Sequence, residues 1–145
     1  MTDILVLNGP NLGRLGTREP EVYGSESLAD IGAYLAETVP GADVQLRQTD
    51  DEAELVRWIH EAVDRRIPVV LNPAAFTHYS YALRDAAAQL KTAGVPLVEV
   101  HLSNPHSRET FRHTSVISGV ASGVIAGFGR DSYRLAVEQV LRLVA

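Results

Sequence analysis

The chain has 145 residues, 46% of them apolar, enough for one domain spanning residues 1–145 with an ordinary buried core. A formal net charge of -5 argues against a nucleic-acid partner, which requires a basic face, and the lack of cysteine removes disulfides, zinc–thiolate sites and thiol nucleophiles. Lysine occurs once, at Lys91 just before Thr92-Ala93-Gly94, where a solvated charge at a helix C-terminus competes with any Schiff-base role.

Short β-branched runs alternate with stretches of helical period, the pattern of a parallel sheet wrapped by helices. Ile4 to Leu7 reads as a buried first strand. Leu28, Ile31, Leu35 and Val39 mark one helix face entered through Ser27-x-x-Asp30, a capping-box spacing. Val44 to Gln48 is the second strand, and Leu55, Ile59, Ala62 and Val63 stripe the next helix. Val69-Val70-Leu71 follows as a third strand, then a helix marked by Leu83, Ala86, Ala87 and Leu90. Leu97 to His101 is the fourth strand, after which a small helix is expected near Arg108 to Phe111. Val124-Ile125-Ala126 and Leu135 to Val144 supply the last strand and helix. Five such units predict an α/β three-layer sandwich of flavodoxin-like topology, strand order 2-1-3-4-5, with ligands beyond the carboxyl ends of the strands. No basic region followed by an apolar run opens the chain, and no apolar run nears the roughly 20 residues that span a bilayer. No membrane partner and a cytoplasmic location are therefore expected.

Candidate chemistry collects after the strand ends. The segment Asn8 to Gly24 is long for a strand-to-helix connection and carries Arg14, Arg18 and Tyr23 among glycines. It reads as a lid, as a solvated loop or, less well, as a phosphate cradle, since neither Walker spacing nor G-x-G-x-x-G is present. Glu99 and His101 are two apart on a strand, so they share a face, where the carboxylate favours the protonated form of the imidazole and orients it. Ser103, with the amides of Leu102 and Ser103, makes a carboxylate cradle, and Asn72 ends the neighbouring strand. His78 could cap the next helix or reach a ligand; Asp85 on that helix reads as a surface carboxylate. Arg108 and Arg112, four apart, read as a guanidinium pair for an anionic or hydroxylated ligand or as surface ion-pair partners. His60, His106 and His113 lack metal-ligand spacing, so no metal is expected.

Four segments in order carry a family resemblance: LNGPNLGRLGTREPEVYG from Leu7 to Gly24, QTDDEAELVRWIH from Gln48 to His60, NPAAFTH from Asn72 to His78 with Ser80 and Asp85, and VEVHLSNPHSRETFRH from Val98 to His113. Together they cover almost the whole chain, which resembles the type II dehydroquinases. The resemblance implies a lyase without cofactor that removes water from 3-dehydroquinate, the third step of the shikimate pathway towards chorismate and the aromatic amino acids. It also implies a homododecamer built as a tetramer of trimers. It implies Tyr23 as the base, His101 as the acid, Arg18 as the group that stabilises the transition state and lowers the tyrosine pKa, and Asn11 as a holder of the enolate through water. Asn72, Leu102 and Ser103 match the carboxylate-binding group, His78 and Arg112 match contacts to ring hydroxyls, and Asp85 matches an aspartate contributed across the trimer interface. The sequence departs from the family pattern at Tyr79, Tyr81 and Ser132.

Elementary electrostatics fits that assignment. A free tyrosine titrates near about 10, so acting as a base near pH 7 needs roughly three units, or about 4 kcal/mol, of phenolate stabilisation. One nearby cation supplies about 1 to 3 units, so Arg18 needs a second, for which Arg108 is the candidate. A non-enzymatic module binding an anionic small molecule through Arg18, Arg112 and the strand-end asparagines is the competing expectation; it has no use for Tyr23 and His101 together.

Overall fold

Side chains alternate across a strand, and β1 (Thr2–Asn8) is buried on both sides: Ile4 and Val6 enter one apolar layer, Leu5 and Leu7 the other. Such a strand belongs inside a sheet with both faces covered. The computed structural model, which describes all residues except Arg18 and Gly24 and the side chain of Tyr23, has that arrangement. Its sheet is parallel and five-stranded, in the order β2-β1-β3-β4-β5, with β2 (Ala42–Gln48), β3 (Val69–Asn72), β4 (Leu97–His101) and β5 (Gly123–Ala126).

The helices are α1 (Pro20–Tyr23), α2 (Leu28–Thr38), α3 (Glu52–Arg65), α4 (Tyr81–Ala93) and α5 (Arg130–Val144). Helices α2 and α5 close one face through Ile31, Leu35, Tyr133, Ala136, Val137 and Val140; α3 and α4 close the other through Leu55, Ile59, Leu83 and Leu90. Each fully buried aliphatic side chain of this kind contributes about 1.5–3 kcal/mol. The helix starts are locally encoded. Ser27 and Asp30 form the expected capping box, Asp51 accepts from Ala53 N at 2.9 Å, and Ser80 Oγ accepts from Leu83 N at 3.0 Å. Helix α4 ends at Gly94, whose φ of 73° suits a residue without Cβ. Among the described residues no helix is long and apolar enough to cross a membrane.

Three details differ from the sequence expectation. No α-helix joins β4 to β5; short 3-10 turns at Pro105–Ser107, Thr110–His113 and Ser118–Val120 do so. The expected helix near Arg108 to Phe111 is displaced because Asn104 Oδ1 takes the amide of His106 at 3.1 Å and starts a turn at Pro105, after which Arg108 is extended. Arg108 and Arg112 therefore do not share a helix face. The segment from Asn8 to Gly24 contains a 3-10 turn at Leu12–Arg14 and the short α1. Helix α5 starts at Arg130, ahead of Leu135, because its first turn is polar and anchored through Asp131, which accepts from Tyr34 Oη at 2.5 Å.

Candidate active site

The carboxyl ends of β1 and β3 meet in register, Asn8 opposite Asn72. The backbone crosses closely there: Gly9 N donates to Asn72 O at 2.8 Å, and a Cβ on Gly9 would lie 2.6 Å from Pro73 O. Only glycine fits without moving Pro73. Beyond it Asn11 takes a left-handed conformation, φ 69°, held by donation of its amide to Asp50 Oδ1 at 2.9 Å. Gln48 Nε2 braces the same turn by bonding Gly9 O and Asp50 Oδ1 at 3.1 and 3.0 Å. Ala74 is also left-handed, φ 51°, and its amide is taken by Asn72 Oδ1 at 3.1 Å. Non-glycine residues in this region store strain that the surrounding bonds must hold, a frequent mark of functional loops.

At the end of β4 the alternation places Glu99 and His101 together, with His101 Nε2 2.5 Å from Glu99 Oε2. Glu99 is 0% exposed. Its Oε2 accepts from Thr77 Oγ1 at 2.6 Å, its Oε1 from Ser118 Oγ at 2.6 Å, and both oxygens lie 3.1 Å from Ser115 Oγ. Burial pushes this carboxyl upward; the hydrogen bond and charge of His101, with the Ser118 and Thr77 hydroxyls, outweigh burial and hold it below the ordinary range. An ionised carboxylate can only accept, so Nε2 of His101 carries a proton and Nδ1 is the ring atom left for exchange with a ligand.

In front of this pair lies a cavity of ≈ 220 Å³. Asn11, Asn72, His78, His101, Leu102, Ser103, Arg108 and Arg112 all line it, beside Pro10, Leu12, Ala74, Ala75 and Pro105. The amides of Leu102 and Ser103 donate to no other described residue, which fits the expected cradle. Arg108 Nη1 is 3.5 Å from Ser103 Oγ. Arg112 is oriented by Glu109, Nε to Oε2 at 3.0 Å, and packs its guanidinium 4.7 Å from the centre of the Phe111 ring. His78 does not cap α4, a task Ser80 performs. Its Nδ1 bonds Thr114 O at 2.9 Å, and since a carbonyl cannot donate, Nδ1 carries the hydrogen and Nε2 remains.

The structure thus brings together eight residues singled out from sequence, with Glu99 packed against His101. Asp85 lies elsewhere, exposed on α4 and paired with Arg84 at 3.1 Å. Arg18 and the side chain of Tyr23 lie outside the described residues. Sequence reasoning missed the supporting shell. Thr77 was visible in the NPAAFTH segment, but Ser115 and Ser118 reach Glu99 only because the chain after β4 folds back. The brace of Gln48 and Asp50 has a similar origin, in the pairing of β1 with β2.

A doubly wound sheet with a histidine–carboxylate pair beside a cavity at its carboxyl edge is an α/β architecture of the kind that takes small molecules at that edge. The chain matches the family described as dehydroquinase class II over residues 2–141. It is 62% identical over 136 residues to the 3-dehydroquinate dehydratase of Kineococcus radiotolerans, covering 92% of this chain and 91% of that one. It is 58% identical over 139 residues to the 3-dehydroquinate dehydratase of Salinispora tropica, covering 94% and 95%. The crystal structure of the type II dehydroquinase from Propionibacterium acnes superposes with a TM-score of 0.93 at 50% identity, covering 98% of this chain and 97% of that one. The chain belongs to the class II dehydroquinase family.

Proposed function

We propose that the cavity is where this chain eliminates water from 3-dehydroquinate to give 3-dehydroshikimate, through an enolate. The ionised, fully buried Glu99 bonded to Nε2 of His101 is the observation that carries this reading, because it fixes an acid at the cavity wall. Tyr23, as phenolate, takes a proton from the carbon beside the ketone, and the electrons of that bond move to the ketone oxygen. Arg18 stabilises the charge, and Asn11 holds the enolate through water. The enolate then re-forms the ketone as the new carbon–carbon double bond forms and the tertiary hydroxyl leaves, taking the Nδ1 proton of His101 and departing as water. Tyr23 ends protonated and His101 neutral, and solvent returns the proton from one to the other. Asn72 and the amides at Leu102 and Ser103 hold the substrate carboxylate, while His78 and Arg112 hold ring hydroxyls. Preorganised donors around the developing oxyanion do the work that a metal or Schiff base does elsewhere.

Arg108 acts as the second cation that brings Tyr23 into range, supported by its place in the cavity wall. Asp85 serves a neighbouring copy, in a dodecamer assembled as a tetramer of trimers and working in the cytoplasm. Its exposure outside its own cavity, beside Tyr79 and Tyr81 at 58% and 69% exposure, supports that reading. Light scattering is expected to give twelve times the chain mass; the mass of a single chain would sink the assembly.

The decisive assay follows the ultraviolet absorbance of the conjugated enone when protein meets 3-dehydroquinate, with chelator present. Wild type is expected to generate the signal, Tyr23→Phe to lose it, and Arg108→Met to move the alkaline side of the pH profile. A flat trace from folded wild type would point instead to a binding module.

A further inference from the structure

Beneath the cavity a buried chain of hydrogen bonds joins four elements, β1, β2, β3 and α5. Asn8 Nδ2 donates to Arg47 O at 3.0 Å, Tyr133 Oη donates to Asn8 Oδ1 at 2.6 Å, and Asn72 Nδ2 donates to Tyr133 Oη at 2.9 Å. Asn72 Oδ1 accepts from Ala74 N at 3.1 Å. Tyr133 is 0% exposed, Asn8 0% and Asn72 3%.

The direction of this chain is not a matter of choice. At one end a backbone carbonyl can only accept, so the Asn8 amide must present its nitrogen to Arg47 and its oxygen to Tyr133. The Tyr133 hydroxyl then spends its single hydrogen on Asn8 and can only accept from Asn72. At the other end a backbone amide can only donate, so Asn72 must turn its oxygen to Ala74. Both termini of the relay dictate the same orientation of Asn72. One of its two Nδ2 hydrogens is committed to Tyr133, which leaves the other for the cavity that Asn72 lines.

We infer that Tyr133 is a positioning residue: its hydroxyl fixes the Asn72 amide so that a donor, never an acceptor, is presented to the substrate. The inference rests on the proposed role of Asn72 as a holder of the substrate carboxylate, and it adds a residue of α5 that touches no ligand. Without the hydroxyl, only the Ala74 amide still distinguishes the oxygen of Asn72 from its nitrogen, and two buried polar groups, Asn8 Oδ1 and one Nδ2 hydrogen of Asn72, are left unpaired, which frees the side chain to turn. A carboxylate meeting an amide oxygen is repelled, so the defect falls on substrate capture ahead of chemistry.

The test is a double-mutant cycle of Tyr133→Phe and Asn72→Ala, read as KM and kcat. Tyr133→Phe keeps the buried ring and is expected to raise KM about tenfold, the equivalent of about 1.4 kcal/mol, with a smaller change in kcat. In the Asn72→Ala background the same substitution is expected to leave KM unchanged. A KM unaltered by Tyr133→Phe, or raised equally in both backgrounds, overturns the inference while leaving the role of Asn72 intact. An Asn72→Ala enzyme with the wild-type KM overturns the carboxylate reading itself, and the inference with it. Should Tyr133→Phe not fold, Asn8→Ala supplies the same measurement. It frees the Tyr133 hydrogen to point at Asn72, and a raised KM that disappears in the Asn72→Ala background supports the relay, whereas an unchanged KM refutes it.

Discussion

Replacing His101 by alanine is expected to reduce kcat by about 10²- to 10⁴-fold, the range lost with a positioned general acid. Steady-state turnover monitored by enone absorbance measures it, and retention of more than a tenth of wild-type kcat would remove His101 from the proton transfer. The same variant has a second expected signature. His101 supplies the hydrogen bond and the charge that offset the burial of Glu99. In His101→Ala the carboxylate stays buried against Thr77, Ser115 and Ser118 but loses its cation. Its pKa then rises, and the acid unfolding limb moves to higher pH than in wild type.

Glu99→Ala is expected to destabilise the protein by about 3–5 kcal/mol at neutral pH, the loss found when one member of a buried pair is removed. The cause is specific. Three hydroxyls and an imidazole converge on those two oxygens, and truncation leaves them facing a gap. Because the folded-state pKa of Glu99 is lowered, its contribution is fully present above the ordinary carboxylate value and is lost as pH falls through the lowered folded value. Denaturant unfolding at several pH values reads both predictions. Wild type should lose stability on acidification through this group, while Glu99→Gln, neutral at every pH, should lack that component. A Glu99→Ala protein within 1 kcal/mol of wild type would show that the carboxylate is not the organising group of this corner.

Much of this arrangement was legible in the sequence. The continuous buried run of β1, the Ser27–Asp30 box and the two-residue spacing of Glu99 and His101 are short-range features, and each has its expected geometry. The grouping of Asn11, Asn72 and His101 followed from topology, since a parallel sheet gathers all its carboxyl ends on one edge. What escaped was set by long-range folding. Whether Arg108 and Arg112 share a surface depends on the turn at Asn104–Pro105, and they meet at the cavity without sharing a helix. Ser115 and Ser118 reach Glu99 across a loop with no periodicity to betray it. Tyr133 fell ahead of the helix expected from Leu135 to Val144, and nothing in its neighbourhood announces that its hydroxyl meets residues near the other end of the chain. The departures at Tyr79 and Tyr81 leave exposed rings, whereas Ser132 is buried and its Oγ accepts the amide of Phe128 at 2.9 Å, a local use for the hydroxyl.

The crossing of β1 and β3 also bears on how the protein ages. Asn-Gly is the dipeptide in which a backbone nitrogen most readily attacks the preceding side-chain amide, closing a succinimide and releasing ammonia, because glycine offers that nitrogen little hindrance. Asn8-Gly9 is such a pair, placed under the cavity. Here the Gly9 nitrogen is engaged with Asn72 O, and the Asn8 amide is tied at both ends, to Arg47 O and to the Tyr133 hydroxyl. The nucleophile and its target are held in separate bonds within a rigid strand end. The fold thereby shields from spontaneous deamidation a residue whose conversion to aspartate would put a negative charge beside the Arg47 carbonyl and undo the polarity of the whole relay.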